Sequence, residues 1–149
     1  NVDDHKANLI RIAAIGHDFG YIISPFEHEE RSISTLSKIL PSILTLEEID
    51  LVNGMIRATK VPQMPTNFME EIIADADLDY LGRNDYDVLS GGLYKEFQYY
   101  DIVNNQKDWL DLQIRFLENH KYHTSFAKEF RIPLKLQKLK QLKEKRKAL

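Results

Sequence analysis

The sequence predicts an all-α protein of about six or seven helices. Apolar residues recur three and four residues apart along most of the chain, which is the spacing of one helix face. No segment shows the strict alternation of apolar and polar residues that is typical of a half-buried strand. Prolines and glycines interrupt the helical segments unevenly, so the pattern does not favour a simple four-helix bundle.

The first half of the chain contains four predicted helices. An apolar segment around Leu9 and Ile12 forms the first, which ends in the region of Gly20. The second covers residues 28–40 and stops at Pro41, because proline cannot continue a helix. Thr45 and Glu48 form a capping box for the third. A proline-bearing loop, 60–66, precedes a fourth helix that is capped by Asn67 and closed by Gly82 after Leu81.

The second half contains two aromatic-rich helical segments and a basic one. The first two are "SGGLYKEFQYY" and "QKDWLDLQIRFLENH". The last, "PLKLQKLKQLKEKRKAL", has leucines on one side, namely Leu134, Leu136, Leu139 and Leu142, and lysines on the rest. We therefore predict a helical domain over residues 1–130, N-terminally incomplete in one interpretation, and a basic amphipathic helix over 131–149.

Composition restricts the classes of function. The chain of 149 residues is long enough for one sizeable core, and no window is apolar enough to cross a membrane, so we expect a cytoplasmic protein. Because the chain has no cysteine, any metal ion must be held by His, Asp and Glu. Residues 131–149 carry eight basic residues and one acidic residue, whereas the rest is acidic, so binding to nucleic acid is not favoured overall.

An ionisable pair, His17 and Asp18, follows the apolar residues of the first helix in "IAAIGHDFGY". Burying such a pair costs several kcal/mol unless a partner compensates it. Two interpretations are open at this point. The aspartate orients the histidine within a hydrogen-bonded core, or both side chains bind a divalent cation near the end of the helix.

Two further segments carry acidic and histidine side chains. "FEHEERS" places His28 and Glu29 at the start of the second helix, where acidic residues also favour the helix dipole. "DADLDYLGR" places three aspartates in five residues after an apolar stretch. Asp75 and Asp79 are four residues apart and share a helix face, whereas Asp77 projects to the other side. The three therefore cannot all bind one ion.

Taken in order, "AAIGHDFG", "HEERS", "IRAT" and "DADLDYLGR" resemble the HD-domain superfamily of metal-dependent phosphohydrolases over about residues 9–83. The resemblance implies an all-α domain with one divalent ion, such as Mn²⁺ or Mg²⁺. His17, Asp18 and Asp77 match its ligands, with Asp75 as the alternative to Asp77 if the segments are aligned on "LDYLG". Two-metal members often have a further His where this chain has Thr59, so the resemblance implies one metal at most.

The resemblance also implies a first ligand His well upstream of the His–Asp pair. His5 lies twelve residues before His17, which corresponds to about 18 Å of helix, too far for two ligands of one ion. We therefore expect that ligand in a segment preceding Asn1, or else an incomplete site.

The function implied is hydrolysis of a nucleotide or another small phosphate ester. A bound ion lowers the pKa of a water molecule and polarises a phosphoryl oxygen. His28 and Glu29 are the expected catalytic residues, which orient the water or protonate the leaving oxygen. Arg83 and Lys60 are the expected phosphate-binding residues. The alternative is a catalytically inactive HD-like domain that serves in binding or regulation.

Overall fold

The computed structural model describes residues 2–149, and within them it contains seven α-helices and no strand. The helices are α1 (Asp4–Gly16), α2 (His28–Leu36), α3 (Leu46–Thr59), α4 (Phe68–Asp77), α5 (Tyr86–Tyr99), α6 (Gln106–Asn119) and α7 (Ser125–Lys147). Short 3₁₀ turns occur at Phe19–Ile22, Leu40–Ser42 and Asp79–Gly82. The predicted all-α class is therefore confirmed. None of the described helices is long and apolar enough to cross a membrane.

The chain forms two compact units, which meet in sequence at Asp77 and Leu78. In the first unit, α3 packs against α1, α2 and α4. The hydrophobic core of this unit consists of Leu9, Ala13, Ile33, Leu36, Leu40, Ile49, Val52, Met55, Ile56 and Ile73. In the second unit, α7 packs against α6 and the 3₁₀ turn at Asp79–Gly82. Its core consists of Leu78, Leu81, Tyr86, Leu110, Leu117, Tyr122, Ala127 and Leu142.

Local signals place several helix ends correctly. Thr45 Oγ1 accepts from the N–H of Glu48, and the Glu48 carboxylate accepts from the N–H of Thr45, so the predicted capping box at the start of α3 is confirmed. Asn67 Oδ1 accepts from the N–H groups of Met69 and Glu70 at the start of α4, as predicted. These contacts span three residues or fewer, so they depend little on tertiary packing.

Two predicted helices end earlier than expected. The helix predicted over 28–40 ends at Leu36, because the ring of Pro41 excludes a helical turn over the preceding residues. The helix predicted to reach Leu81 ends at Asp77, and a 3₁₀ turn follows. In that turn the carbonyls of Leu78 and Asp79 lie 3.3 and 3.5 Å from the hydroxyl of Tyr122, which donates to them.

The last helix differs from the prediction in its start and in the side that it buries. It begins at Ser125, where Thr124 Oγ1 accepts from the N–H of Ala127, and it continues through Pro133. The predicted stripe was wrong at Leu136, which is exposed, whereas Lys135 is buried. The ammonium of Lys135 donates to the carbonyl of His120 at the end of α6, and this bond explains how a lysine is accommodated there.

Candidate functional site

The end of α1 presents the first two site residues. His17 is the C-cap residue of α1, and Asp18 precedes the 3₁₀ turn at Phe19–Ile22. His17 Nδ1 lies 2.9 Å from the carbonyl oxygen of Ala14. Because a carbonyl only accepts, the proton of this bond belongs to Nδ1. The other ring nitrogen, Nε2, is therefore directed away from the helix and toward the carboxylates.

Two carboxylates flank His17. Its Nε2 lies 3.2 Å from Oδ2 of Asp18 and 3.3 Å from Oδ1 of Asp77, at the end of α4. The contact with Asp77 unites the ends of two helices that both pack on α3. The structure thus brings together the three residues for which the sequence predicts metal binding. Asp75, the alternative to Asp77, lies two residues earlier in α4, and its side chain is buried.

His28 repeats this arrangement at the start of α2. Its Nδ1 lies 3.1 Å from the carbonyl oxygen of Pro25, so Nδ1 again carries the proton. Its Nε2 lies 3.4 Å from Oδ1 of Asp18 and 3.5 Å from Oε1 of Glu29, whose carboxylate is buried. Asp18 therefore bridges the two histidines. The chain enters α2 through Glu27, which adopts a left-handed conformation with φ 53°.

The electrostatics of the cluster reflect its three carboxylates and two imidazoles. The hydrogen bond to Asp77 raises the pKa of His17 to about 9, against the opposing effect of burial. Burial raises the pKa of the Asp18 carboxyl, and the negative charges of Asp77 and Glu29 act in the same direction, opposed by His17 and His28. The site therefore favours a positive charge beside His17 Nε2, either a proton or a cation.

The donor set fits a divalent cation in its chemistry. Two ligand atoms about 2.1 Å from one ion lie roughly 3 to 3.5 Å apart, and the nitrogen–oxygen distances of this cluster fall in that range. Among residues 2–149, no group of three or more His, Asp or Glu side chains converges on a common point as a preformed metal site. The fit thus rests on donor type and pairwise spacing.

A buried serine holds the two histidine-bearing segments together. Ser32 on α2 accepts from the N–H of Gly20 over 2.8 Å and donates to the carbonyl of His17 over 2.5 Å. A Cβ at Gly20 would lie 2.0 Å from the carbonyl oxygen of His28, so only glycine allows this approach. Sequence reasoning assigned no role to Ser32. Its spacing from Glu29 and Leu36, which share one helix face with it, was the available signal.

The remaining predicted residues lie elsewhere. His5 Nε2 contacts Oε1 of Glu48 over 2.8 Å. Lys60 is exposed at the end of α3, where it lines a groove of about 400 Å³ with Arg57 and Met64. Thr59 is buried, and its hydroxyl donates to the carbonyl of Ile56.

Arg83 belongs to the second unit. There its guanidinium forms a two-point ion pair with Asp85 and lies 3.7 Å from the carboxylate of Asp79. A guanidinium that is already paired in this way must exchange a carboxylate for any phosphate that it binds.

Comparison with known proteins identifies no relative: no family model, no curated protein and no solved structure matches this chain.

Proposed function

We propose that this protein is a metal-dependent phosphohydrolase that acts on a nucleotide or another small phosphate ester. The single observation that carries the proposal is the cluster of His17, Asp18, Asp77, His28 and Glu29. In it both histidines bind backbone carbonyls through Nδ1 and direct Nε2 toward carboxylates. This is the second-sphere arrangement of histidines that ligate metals, because the bond at Nδ1 fixes the tautomer and the ring orientation.

His17, Asp18 and Asp77 are the residues that would hold one divalent ion, such as Mn²⁺ or Mg²⁺. When bound, the ion would polarise a phosphoryl oxygen and lower the pKa of a water molecule. The upstream His that the HD-domain resemblance implies is not needed to explain the contacts of these three side chains. The order of "AAIGHDFG", "HEERS" and "DADLDYLGR" along the chain supports the same assignment.

His28 and Glu29 are the proposed proton-transfer pair. The carbonyl of Pro25 fixes the His28 ring, so Nε2 is the atom at which a proton would be held or released. Oε1 of the buried Glu29 carboxylate lies 3.5 Å from this atom, so the two side chains are placed to pass a proton between them and the leaving oxygen. Lys60 and Arg83 remain the proposed phosphate-binding residues, on the sequence pattern alone.

The second candidate is a catalytically inactive HD-like domain that serves in binding or regulation. The observation that favours it is the 3.3 Å contact between His17 Nε2 and Oδ1 of Asp77, which raises the pKa of His17 to about 9, so that the two side chains form an ion pair at neutral pH. Such a pair satisfies its own charges within the unit and needs no bound ion.

The test combines cation binding with phosphate release, using the full chain. Binding of Mn²⁺ is measured by equilibrium dialysis, and phosphate release is measured from nucleotides and simple esters. We expect Asp18→Asn to abolish both, and Asp50→Asn, an exposed aspartate on α3, to change neither. If the unaltered chain neither binds Mn²⁺ nor releases phosphate in an Asp18-dependent manner, the phosphohydrolase is excluded and the binding domain is favoured.

A further inference from the structure

An uncharged loop with exposed apolar side chains separates the two histidine-bearing segments. The loop, "FGYIISPF" at residues 19–26, has no charged residue between Asp18 and Glu27. Ile22 is 89% exposed, Ile23 63% and Phe26 68%. Single exposed apolar residues are common on protein surfaces, but three within five consecutive positions concentrate exposed apolar area in one short segment. We call this segment the apolar loop.

Both ends of the apolar loop are tied to the candidate site. At its start, the N–H of Tyr21 donates to the carbonyl of Asp18, and the N–H of Gly20 donates to Ser32. At its end, the carbonyl of Pro25 accepts from Nδ1 of His28. These hydrogen bonds therefore hold both ends of the apolar loop against the segments that carry Asp18 and His28.

An aromatic contact links the apolar loop directly to the proposed proton-transfer residue. The ring centroids of Tyr21 and His28 lie 4.2 Å apart, with an interplanar angle of 43°. The exposed Tyr21 ring thus packs on the His28 imidazole and forms part of the surface beside it. A planar group placed on this surface would lie beside the histidine whose Nε2 faces Asp18.

A cation borders the same surface. Arg31 lies one helical turn after His28, and its Nε donates to the carbonyl of Phe26 over 3.2 Å. Arg31 is exposed and forms no ion pair with a residue in the described range 2–149. The edge of the site thus combines aromatic surface with a positive charge that is open to a phosphate.

We propose that the apolar loop binds an aromatic ring in the organic part of the substrate, so that the site prefers aryl or nucleobase-bearing phosphate esters to sugar or glycerol phosphates. This inference rests on the proposed function, whose substrate class it names. Phe26 and Ile22 determine the preference, since they are the most exposed apolar side chains of the loop. Only an ester that carries an aromatic ring can bury these two side chains and gain the binding energy of that contact.

The test measures binding separately from turnover. Affinities of the full chain for phenyl phosphate, adenosine monophosphate and glycerol 2-phosphate are determined by calorimetry, with Mn²⁺ and again with EDTA. We expect the two aromatic esters to bind more tightly than glycerol 2-phosphate. Phe26→Ala should weaken their binding about tenfold and leave glycerol 2-phosphate unchanged, a size typical of losing one apolar contact. The matched control is Phe126→Ala, because Phe126 is 60% exposed on α7 and should affect no ester.

Equal affinity for the three esters, or an effect of Phe26→Ala no larger than that of Phe126→Ala, would overturn the inference. So would self-association, or binding to phosphatidylcholine vesicles, that depends on Phe26 without any preference among esters. The proposed function is judged separately, by Mn²⁺ binding and phosphate release with Asp18→Asn. Asp18-dependent release without a preference for aromatic esters would overturn only the substrate class, whereas a ring preference without release would overturn only the hydrolase.

Discussion

Nε2 of His17 lies 3.3 Å from Oδ1 of Asp77, a contact between residues sixty positions apart in sequence. It unites the end of α1 with the end of α4, and with Asp18 it forms the centre of the candidate site.

The stability of the cation-free chain should fall as the pH rises through 9. The pKa of His17 is raised to about 9, chiefly by the bond to Asp77, from an ordinary value of 6.5. The folded state therefore binds the proton more tightly, so the stabilisation is complete below pH 6.5 and is lost above 9. Its size is on the order of 2 to 3 kcal/mol. Denaturant titrations in EDTA at several pH values should show the loss, and Asp77→Asn should reduce it. A His17 resonance titrating near 6.5 would contradict this.

Cation binding should distinguish Asp77 from Asp75. Asp77→Asn removes a carboxylate that faces His17 Nε2, so we expect at least a tenfold loss of Mn²⁺ affinity, as is typical when a ligand environment is altered. Asp75→Asn, two residues away in the same helix, should retain most of the Mn²⁺ affinity of the unaltered chain, provided that the variant folds. Equilibrium dialysis measures both, after circular dichroism has verified folding. A larger loss with Asp75→Asn would assign the ligand to Asp75.

Removing the Ser32 hydroxyl should destabilise the first unit. Ser32→Ala leaves the N–H of Gly20 and the carbonyl of His17 without these bonds, at a cost of about 1 to 3 kcal/mol for buried groups. Ser34→Ala, at an exposed position of the same helix, is the control and should change the free energy of unfolding by less than about 0.5 kcal/mol. Equal effects of the two variants would show that the Ser32 bonds contribute little.

Two glycine substitutions should have opposite effects. A Cβ at position 20 would lie 2.0 Å from the carbonyl oxygen of His28, so Gly20→Ala must displace the turn from α2 and should cost about 3 kcal/mol or more. Gly91 lies within α5 with nothing within 4 Å of a Cβ, so Gly91→Ala should stabilise by about 0.5 to 1 kcal/mol. Thermal unfolding of both variants tests the pair. Tolerance of alanine at position 20 would contradict the described approach of the turn to α2.

An apolar substitution in a buried polar network of the second unit should destabilise the protein. Gln113 Nε2 donates to the hydroxyls of Tyr86, over 2.7 Å, and Ser90. Gln113→Leu leaves two buried hydroxyls without this donor, and we expect a loss of about 2 kcal/mol. Gln137→Leu, on the exposed side of α7, is the control and should lie within about 0.5 kcal/mol of the unaltered chain. Equal stability of the two variants would show that the network does not contribute.

The helices and the caps of α3 and α4 could be predicted from the sequence because the interactions that define them are local. The Thr45–Glu48 capping box needs only three residues of separation. Predictions that required knowledge of packing were less successful. The leucine side of the last helix is predicted to be the buried one, yet Lys135 is buried as well, and its ammonium donates to the carbonyl of His120, a partner that no periodicity indicates.

The residue types of the candidate site were determined by the sequence alone, since "GHDFG", "HEERS" and "DAD" supply two imidazoles and several carboxylates. The tertiary structure decided which of these residues lie close enough together to form the site. Asp75 and Asp77 project from opposite sides of one helix, so the sequence could not say which would meet His17. The packing of α1 and α4 on α3 brings Asp77 to Nε2, and Ser32 joins α2 to the same point. The sequence determines which side chains are available to the site, whereas the packing of residues far apart in the sequence determines which of them come together.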